Sequence, residues 1–248
     1  MLNASICGQT RKLQKIKMLQ LIGLLVISWL LIWFFEKGNL SVLGLMPTKV
    51  RLKYFTILFI VSAVFSATAF LLRMYFAKEE YTISNSITTK SILLETWFQI
   101  RTVLTEELLF RGVLLYILIT KIKQTKAIII SAVLFAALHV INASVWGNFT
   151  QMIILFTFTF SMGLLLAFSY ARTFSLLIPF AIHFGWNLTQ NYIFPDTAMG
   201  NHIFTLAAPP PTVTISYVAF FTMLLLPKIS VLIVDYLIVK RHRQVDVR

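Results

Sequence analysis

Three polar residues interrupt one hydrophobic stretch of the chain and have the types that hydrolysis requires. Glu106, Glu107 and Arg111 lie in the run Glu-Glu-Leu-Leu-Phe-Arg. On a helix, Glu107 and Arg111 are four residues apart and share a face, so they are expected to form an ion pair. Glu106 lies about 100° around the helix from Glu107, so its carboxylate points elsewhere. The spacing therefore predicts a structural pair, Glu107 and Arg111, and a reactive group, Glu106.

Two further apolar stretches each carry a histidine at helical spacing from a second notable residue. Phe135 and His139 are four residues apart in one stretch, and His183 and Asn187 are four apart in another. Packed against the glutamate helix, they would enclose a small polar cavity. A carboxylate in low dielectric binds protons more strongly, which suits a general base for water, and a neighbouring histidine can hold the same water. The second histidine and the amide are donors for the oxyanion of a tetrahedral intermediate.

Each of these elements also has a structural interpretation when it is taken alone. A Glu–Arg pair in a membrane helix often holds helices together, and an intramembrane histidine often makes an interhelical hydrogen bond. An asparagine beside Trp186 at a helix end often only satisfies backbone groups. The occurrence of all three clusters, in helices with few other polar residues, favours a functional site.

The three motifs together resemble those of the CPBP family, the CAAX-protease and bacteriocin-processing intramembrane endopeptidases, also called the Abi family. The matching residues are Glu106, Glu107, Arg111, Phe135, His139, His183 and Asn187. The resemblance covers about residues 90–195 and implies an all-helical membrane protease. It assigns water activation to Glu106 and His139. It assigns support of the oxyanion to His183 and Asn187, and a supporting role in the site to the other three residues.

The family is often described as metalloproteases, so a catalytic zinc site is an alternative to water activation without a metal. A catalytic zinc needs three protein ligands and an open position, and either glutamate of the pair with both histidines could supply them. The chain has no His-Glu-x-x-His helix, however, and Glu107 is better used by Arg111. We therefore expect water activation without a metal or other cofactor. The alternative is zinc held by Glu106, His139 and His183.

The composition predicts that lipid surrounds most of the chain. Of 248 residues, 58% are hydrophobic and 12% charged, with a mean hydropathy of +0.82. Soluble domains carry about 25% charged residues. Seven apolar segments approach or exceed the roughly 20 residues that cross a bilayer: about 18–35, 54–76, 91–120, 127–141, 152–171, 174–194 and 212–239. The expected fold is an all-α membrane helix bundle of about seven to eight transmembrane helices, a single domain over 1–248 with its catalytic core at 90–195.

The sequence leaves the membrane topology open. Pro227 with Lys228 is expected to kink or split the last segment. Both termini are basic, which favours a cytoplasmic side for each, whereas seven spans would place them on opposite sides. We therefore expect either the third or the seventh segment to be re-entrant or divided, unless one terminus breaks the rule.

The net charge of +13 does not indicate nucleic-acid binding, because the basic residues lie mostly at the ends of apolar runs. They include Arg11, Lys12, Lys15, Lys17, Lys240, Arg241 and Arg243. This distribution fits anionic lipid headgroups and topology setting. The expected partners are membrane lipid and a membrane-associated peptide or protein.

Cys7 is the only cysteine, which excludes an intramolecular disulfide. The N-terminal basic and apolar run is predicted to be a retained helix.

The predicted function is an intramembrane endopeptidase, in a membrane that is expected to be the bacterial plasma membrane. Two other functions remain open. A proton-coupled carrier would also use intramembrane Glu and His, but the sequence shows no inverted repeat. The second is a non-catalytic immunity protein that resembles the same family but binds a peptide toxin or its receptor without cleaving a peptide bond.

Overall fold

The computed structural model describes residues 19, 21–35, 37–85, 87–143, 145–194 and 202–242. Several sequence predictions fall outside these residues. They concern Cys7, the basic residues Arg11, Lys12, Lys15, Lys17 and Arg243, and the start of the first apolar segment at Met18.

The described part of the chain is mainly helical. Its α-helices are α1 (Leu21–Phe35), α2 (Lys49–Phe76), α3 (Thr89–Glu107), α4 (Leu114–Lys121), α5 (Gln124–Asn142), α6 (Phe149–Thr173), α7 (Leu177–Leu188) and α8 (Tyr217–Arg241). A 3₁₀ helix (Leu40–Leu43) precedes α2, and π-helical turns join α3 to α4 (Leu108–Val113) and extend α7 (Thr189–Ile193). Strand β1 (Tyr81–Ile83) pairs antiparallel with β2 (Phe204–Leu206).

Helices α2, α5, α6 and α8 are each long and apolar enough to cross a membrane, and α1 is a shorter apolar helix. Large apolar side chains on the outer faces remain exposed, among them Trp33, Val64 and Ile153. Such surfaces are stable where lipid replaces water. The predicted all-α membrane helix bundle is confirmed, and the protein is an integral membrane protein.

Polar caps define where several of these helices begin. The side chains of Thr48, Asn148 and Ser216 each accept a hydrogen bond from the backbone N–H three residues later, at the starts of α2, α6 and α8. Thr88 and Ser91 form a reciprocal capping box at the start of α3. These bonds satisfy backbone donors that a helix start leaves without intrahelical partners.

The third apolar segment is divided, as was expected of one of two segments. The helix changes to π geometry at Leu108–Val113, and Gly112 has non-helical backbone angles (φ −71°, ψ −122°). The Ser131 hydroxyl donates to the Phe110 carbonyl of this turn at 3.1 Å. A π turn with a side-chain partner is a recognised cause of a kink, and such turns are frequent at functional sites.

Of the kink or split expected at Pro227, the split does not occur, because α8 continues through this residue as one helix. A proline removes one backbone donor and crowds the preceding turn. In membrane helices this disturbance is tolerated where neighbouring helices pack around it. Pro227 is buried against the bundle, which fits this explanation.

Backbone contacts identify the two ends of the bundle. At one end, the Leu176 N–H donates to the Leu43 carbonyl at 3.0 Å, and Arg172 Nη2 donates to the Lys240 carbonyl at 2.9 Å. The paired strands β1 and β2 lie at the opposite end. The first end is rich in basic residues: Lys49, Arg51, Lys53, Lys121, Lys123, Lys126, Arg172, Lys240 and Arg241. This asymmetry predicts that this end faces the cytoplasm.

Two glycines allow the helices that carry the polar motifs to approach closely. A Cβ at Gly185 of α7 would lie 2.4 Å from the Phe59 carbonyl oxygen of α2. A Cβ at Gly163 of α6 would lie 3.1 Å from the Ala132 Cα of α5. Small residues at such crossings are typical of membrane helix packing. The positions of α5 and α7 therefore depend on these contacts.

We expect Gly185→Ala to destabilise the protein by about 1–3 kcal/mol, because the added methyl group overlaps a backbone oxygen that cannot easily move. The measurement is the thermal melting temperature of purified protein in detergent. Gly23→Ala is the control, since a Cβ there has no neighbour within 4 Å. Equal melting temperatures for both variants would contradict the close contact between α2 and α7.

Candidate active site

Glu107 and Arg111 form an ion pair inside the bundle. Arg111 Nη1 lies 3.0 Å from Glu107 Oε1, and both side chains are fully buried. Arg111 Nη2 also donates to the Gly163 carbonyl of α6 at 3.4 Å. The pair therefore links the end of α3 and the following π turn to α6. A charge pair this deep is kept only with good geometry, because the desolvation cost is several kcal/mol per ion.

His183 shares the carboxylate oxygen that Arg111 uses. Its Nδ1 lies 2.7 Å from Glu107 Oε1, and its Nε2 lies 3.0 Å from Asn187 Nδ2. Because a carboxylate only accepts, this network assigns the proton to Nδ1 in the neutral imidazole, and Nε2 then accepts from the amide. Sequence analysis missed the Glu107–His183 contact, since it joins two helices 76 positions apart.

His139 is oriented by its own helix. Its Nδ1 lies 2.8 Å from the Phe135 carbonyl, one turn earlier in α5. Because a carbonyl only accepts, Nδ1 carries the proton, and Nε2 presents a lone pair. That nitrogen lies 3.8 Å from Glu106 Oε2. The same bond that fixes the ring therefore makes Nε2 an acceptor facing the glutamate.

Glu106 meets both histidines at a single oxygen. Its Oε2 lies 3.8 Å from His139 Nε2 and 3.6 Å from His183 Nε2. The same oxygen is buried and makes no direct hydrogen bond within the described part of the chain. These separations exceed a direct hydrogen bond, and they suit contact through a shared water molecule. The structure thus brings the acid and both imidazoles together around one point.

Phe135 packs against three of the polar side chains. Its ring centroid lies 4.1 Å from the Arg111 guanidinium carbon, 4.2 Å from the His139 ring and 5.8 Å from the His183 ring. The contact with Arg111 is a cation–π interaction in a desolvated setting, which strengthens it. The ring therefore contacts the cation and both imidazoles.

Two residues that support the site were not singled out from the sequence. Ser131 bonds the Phe110 carbonyl, and Gly163 accepts from Arg111 while letting α6 approach α5. Ser131 had a signal, because it lies one turn before Phe135 on the face that also carries His139. Gly163 had a weaker one, as a small residue in an apolar helix.

Glu106 opens onto a cavity of about 740 Å³ between α1, α3 and α5. Its lining residues are Gly23, Leu24, Ile27, Arg101, Thr102, Thr105, Glu106, Leu109, Leu138 and Asn142. The cavity therefore combines apolar walls with polar groups that come mainly from α3. The acid has room for a ligand on the side away from Glu107.

The hydrogen bonds of His183 bear on the zinc site considered above. Its Nε2, which the network leaves without a proton, faces the Asn187 amide at 3.0 Å and would have to give up this hydrogen bond to bind a metal. In the described part of the chain, no three His, Cys, Asp or Glu side chains are grouped to hold a metal ion. Catalytic zinc needs three such ligands at about 2.0–2.2 Å.

Comparison with known proteins adds one match. Residues 88–189 match the family described as type II CAAX prenyl endopeptidase Rce1-like. This range contains all seven motif residues, and the resemblance to the CPBP family is confirmed. No curated protein and no solved structure gives a significant match to the chain.

We expect Arg111→Met to lower the yield of folded protein strongly, because it leaves the Glu107 carboxylate buried without its cation. Breaking a buried pair in this way costs about 3–5 kcal/mol. The measurement is the monodisperse fraction after extraction of the membranes into detergent.

The control for this prediction is Arg73→Met, which breaks a second Arg–Glu pair. Arg73 Nε lies 2.8 Å from Glu79 Oε2, and the arginine side chain keeps 27% of its surface exposed. Partly exposed pairs contribute about 0–1 kcal/mol, so this variant should lose far less. Similar losses for both variants would contradict the structural role given to Arg111.

Proposed function

We propose that this chain, whose residues 88–189 match the type II CAAX prenyl endopeptidase family, is an intramembrane endopeptidase. It hydrolyses a peptide bond of a membrane-associated peptide or protein. The observation that carries the proposal is the position of Glu106 Oε2, 3.8 Å from His139 Nε2 and 3.6 Å from His183 Nε2. An acid and two imidazoles meeting inside an apolar bundle are costly to bury and suit the activation of water.

Glu106 and His139 hold the attacking water. Both present acceptors, a carboxylate oxygen and an unprotonated Nε2, whose separation of 3.8 Å lets one water donate to each at about 2.8 Å. A water that donates both protons directs its lone pairs away from the two bases. We propose that the substrate carbonyl approaches from that side. Because the water and the substrate carbonyl are both held in position, the attack does not depend on a chance encounter between them.

The reaction proceeds by addition and elimination. The water oxygen bonds to the carbonyl carbon while Glu106 takes one of its protons, and the carbonyl oxygen becomes an oxyanion. The carbon–nitrogen bond then breaks, and the proton on Glu106 passes to the leaving amine. One water is consumed, and a carboxylic acid and an amine are released; the acid then loses its proton to the amine or to solvent. The same residue acts as base and then as acid.

Asn187 and His183 stabilise the oxyanion as a unit. One N–H of the Asn187 amide is directed at His183 Nε2 at 3.0 Å, which leaves the second N–H to donate to the oxyanion. His183 fixes that amide and donates to the oxyanion itself only when it is protonated. Preorganised donors in a low-dielectric site stabilise developing charge more than water does.

The proposed reaction needs no metal. The two histidines already have hydrogen-bond partners that orient them for water and for the amide, and the water is activated by Glu106 as a base. The substrate reaches the site through or along the bilayer, in keeping with the lipid-facing surface. We propose a bacterial plasma membrane as the location, with the basic end of the bundle against the anionic cytoplasmic leaflet.

We predict that Glu106→Gln abolishes peptide cleavage and leaves membrane insertion and folding unchanged, because the amide keeps the shape and removes the base. The measurement is cleavage of candidate membrane peptides by purified wild type and variant. Glu95→Gln is the matched control on the same helix, outside the cluster, and should keep activity. A protein that only binds a toxin or receptor would protect cells equally well with Gln at position 106, which would contradict the protease proposal.

We predict that cleavage survives a strong chelator, since the proposed base is a carboxylate. The assay compares wild-type protein before and after chelation, followed by addition of zinc. Glu106→Gln measured in parallel gives the background. Activity that disappears on chelation and returns with zinc would overturn the metal-free mechanism.

A further inference from the structure

A groove between α6 and α8 shares no lining residue with the cavity beside Glu106. Its walls are mostly apolar, with Ile153 and Phe158 on the α6 side and Leu225 and Lys228 on the α8 side. Its volume of about 270 Å³ is below the roughly 300–1,000 Å³ typical of small-molecule sites. The groove is therefore suited to side chains of a packed partner.

Lys228 places a cation in this groove. Its ammonium nitrogen lies 4.7 Å from the centroid of the Phe158 ring. Among the described residues, no carboxylate pairs with it. A charge inside a membrane is costly, and such residues usually pair with another charge and mark a functional contact. The aromatic face compensates for only part of the lost hydration, so the site favours an anionic partner from outside the chain.

The depth of Lys228 restricts what that partner is. Helix α8 runs from Tyr217 to Arg241, so Lys228 lies 11 residues from one end and 13 from the other. At about 1.5 Å per residue, its Cα is about 16–20 Å from either end. The hydrocarbon core of a bilayer is about 30 Å thick, so this position is near its middle. Lipid headgroups lie outside that layer, whereas a side chain on a second membrane helix reaches this depth directly.

A second copy of this chain does not supply the acid. The helices α1, α2, α5, α6 and α8 contain one carboxylate among them, Asp235. This residue is fully buried and accepts a hydrogen bond from Ser62 Oγ at 2.6 Å. Packing two copies symmetrically through the groove would also bring one Lys228 towards the other. The charge therefore indicates a different membrane protein.

We propose that the groove between α6 and α8 binds a transmembrane helix of another protein, and that Lys228 pairs with an aspartate or glutamate near the middle of that helix. This inference goes beyond the proposed peptidase function and does not depend on it. Apolar packing alone gives little specificity in a membrane, because lipid tails cover apolar surface equally well. The ion pair with Lys228 supplies that specificity.

The test measures association of Glu106→Gln protein, which cleaves no probe, with synthetic single-span helices in phosphatidylcholine liposomes. Each probe has about 20 alternating Leu and Ala residues with Lys at both ends. One carries Glu at its centre, one carries Gln at its centre, and one carries Glu one turn from its end. Energy transfer from a dye on Cys7, the only cysteine, to a dye on the probe reports association.

The probe with central Glu should associate about tenfold more strongly than the other two, because a charge-assisted hydrogen bond is strong where water is absent. Lys228→Met should remove this preference, since it keeps an unbranched side chain and removes the cation. Lys228→Arg should retain it. Lys240→Met, which removes an exposed cation at the end of the same helix, should retain it as well.

The shape of the groove is tested with a second pair of variants. Leu225→Trp narrows the groove and should weaken association of all three probes. Leu237→Trp is the matched control, because Leu237 is similarly exposed on α8 and does not line the groove. The ratio between probes is read within each variant, so a partial loss of folded protein does not change it.

Equal association of the three probes, association of none, or a preference that survives Lys228→Met would overturn the inference. The measurement is repeated in liposomes that contain phosphatidylglycerol, where the preference for central Glu should persist. A preference abolished by this anionic lipid would assign the groove to lipid headgroups and would also overturn the inference. Peptide cleavage by wild-type protein is a separate readout, so failure of the protease proposal leaves this test unchanged.

Discussion

One carboxylate oxygen inside the bundle connects the helices that form the site. Glu107 Oε1 accepts from Arg111 Nη1 at 3.0 Å and from His183 Nδ1 at 2.7 Å. Removing Arg111 would leave the carboxylate charge uncompensated in a low dielectric, and removing His183 would take away one of its donors, so these bonds determine how α3 meets α7. Phe135 brings α5 to the same place by packing on the guanidinium. Glu106, one residue along the helix, is then directed away from the ion pair and towards the histidines.

In the lipid environment, polar groups inside the bundle need hydrogen-bond partners within the protein. Several buried polar side chains of the described helices bond to a neighbouring helix instead of water. Ser62 donates to Asp235 at 2.6 Å, which joins α2 to α8, and Ser66 donates to the Trp186 carbonyl at 3.1 Å, which joins α2 to α7. The helices outside the matched residues thus hold α7 in position, and α1 closes the cavity into which Glu106 opens.

Sequence reasoning anticipated what helical spacing alone determines: the three pairs of residues four apart and the apolar segments. It did not anticipate what depends on packing between helices. The contact of His183 with Glu107 and the wall that α1 adds beside Arg101 both require the tertiary arrangement. The expected split at Pro227 does not occur, because surrounding helices stabilise a helix in which one backbone hydrogen bond is missing. The division at Gly112 was expected only of the third or the seventh segment, since a π turn has no simple sequence signal.

The central claim is that Glu106, His139 and His183 share one water-holding point in the bilayer. The most direct measurement is an experimental density map of the protein in lipid, at a resolution that shows ordered water. The account predicts a water in hydrogen-bonding contact with Glu106 Oε2 and His139 Nε2, beside a Glu107 carboxylate that bonds both Arg111 and His183. A map in which these side chains point to separate outer surfaces, too far apart to contact one solvent molecule, would contradict it.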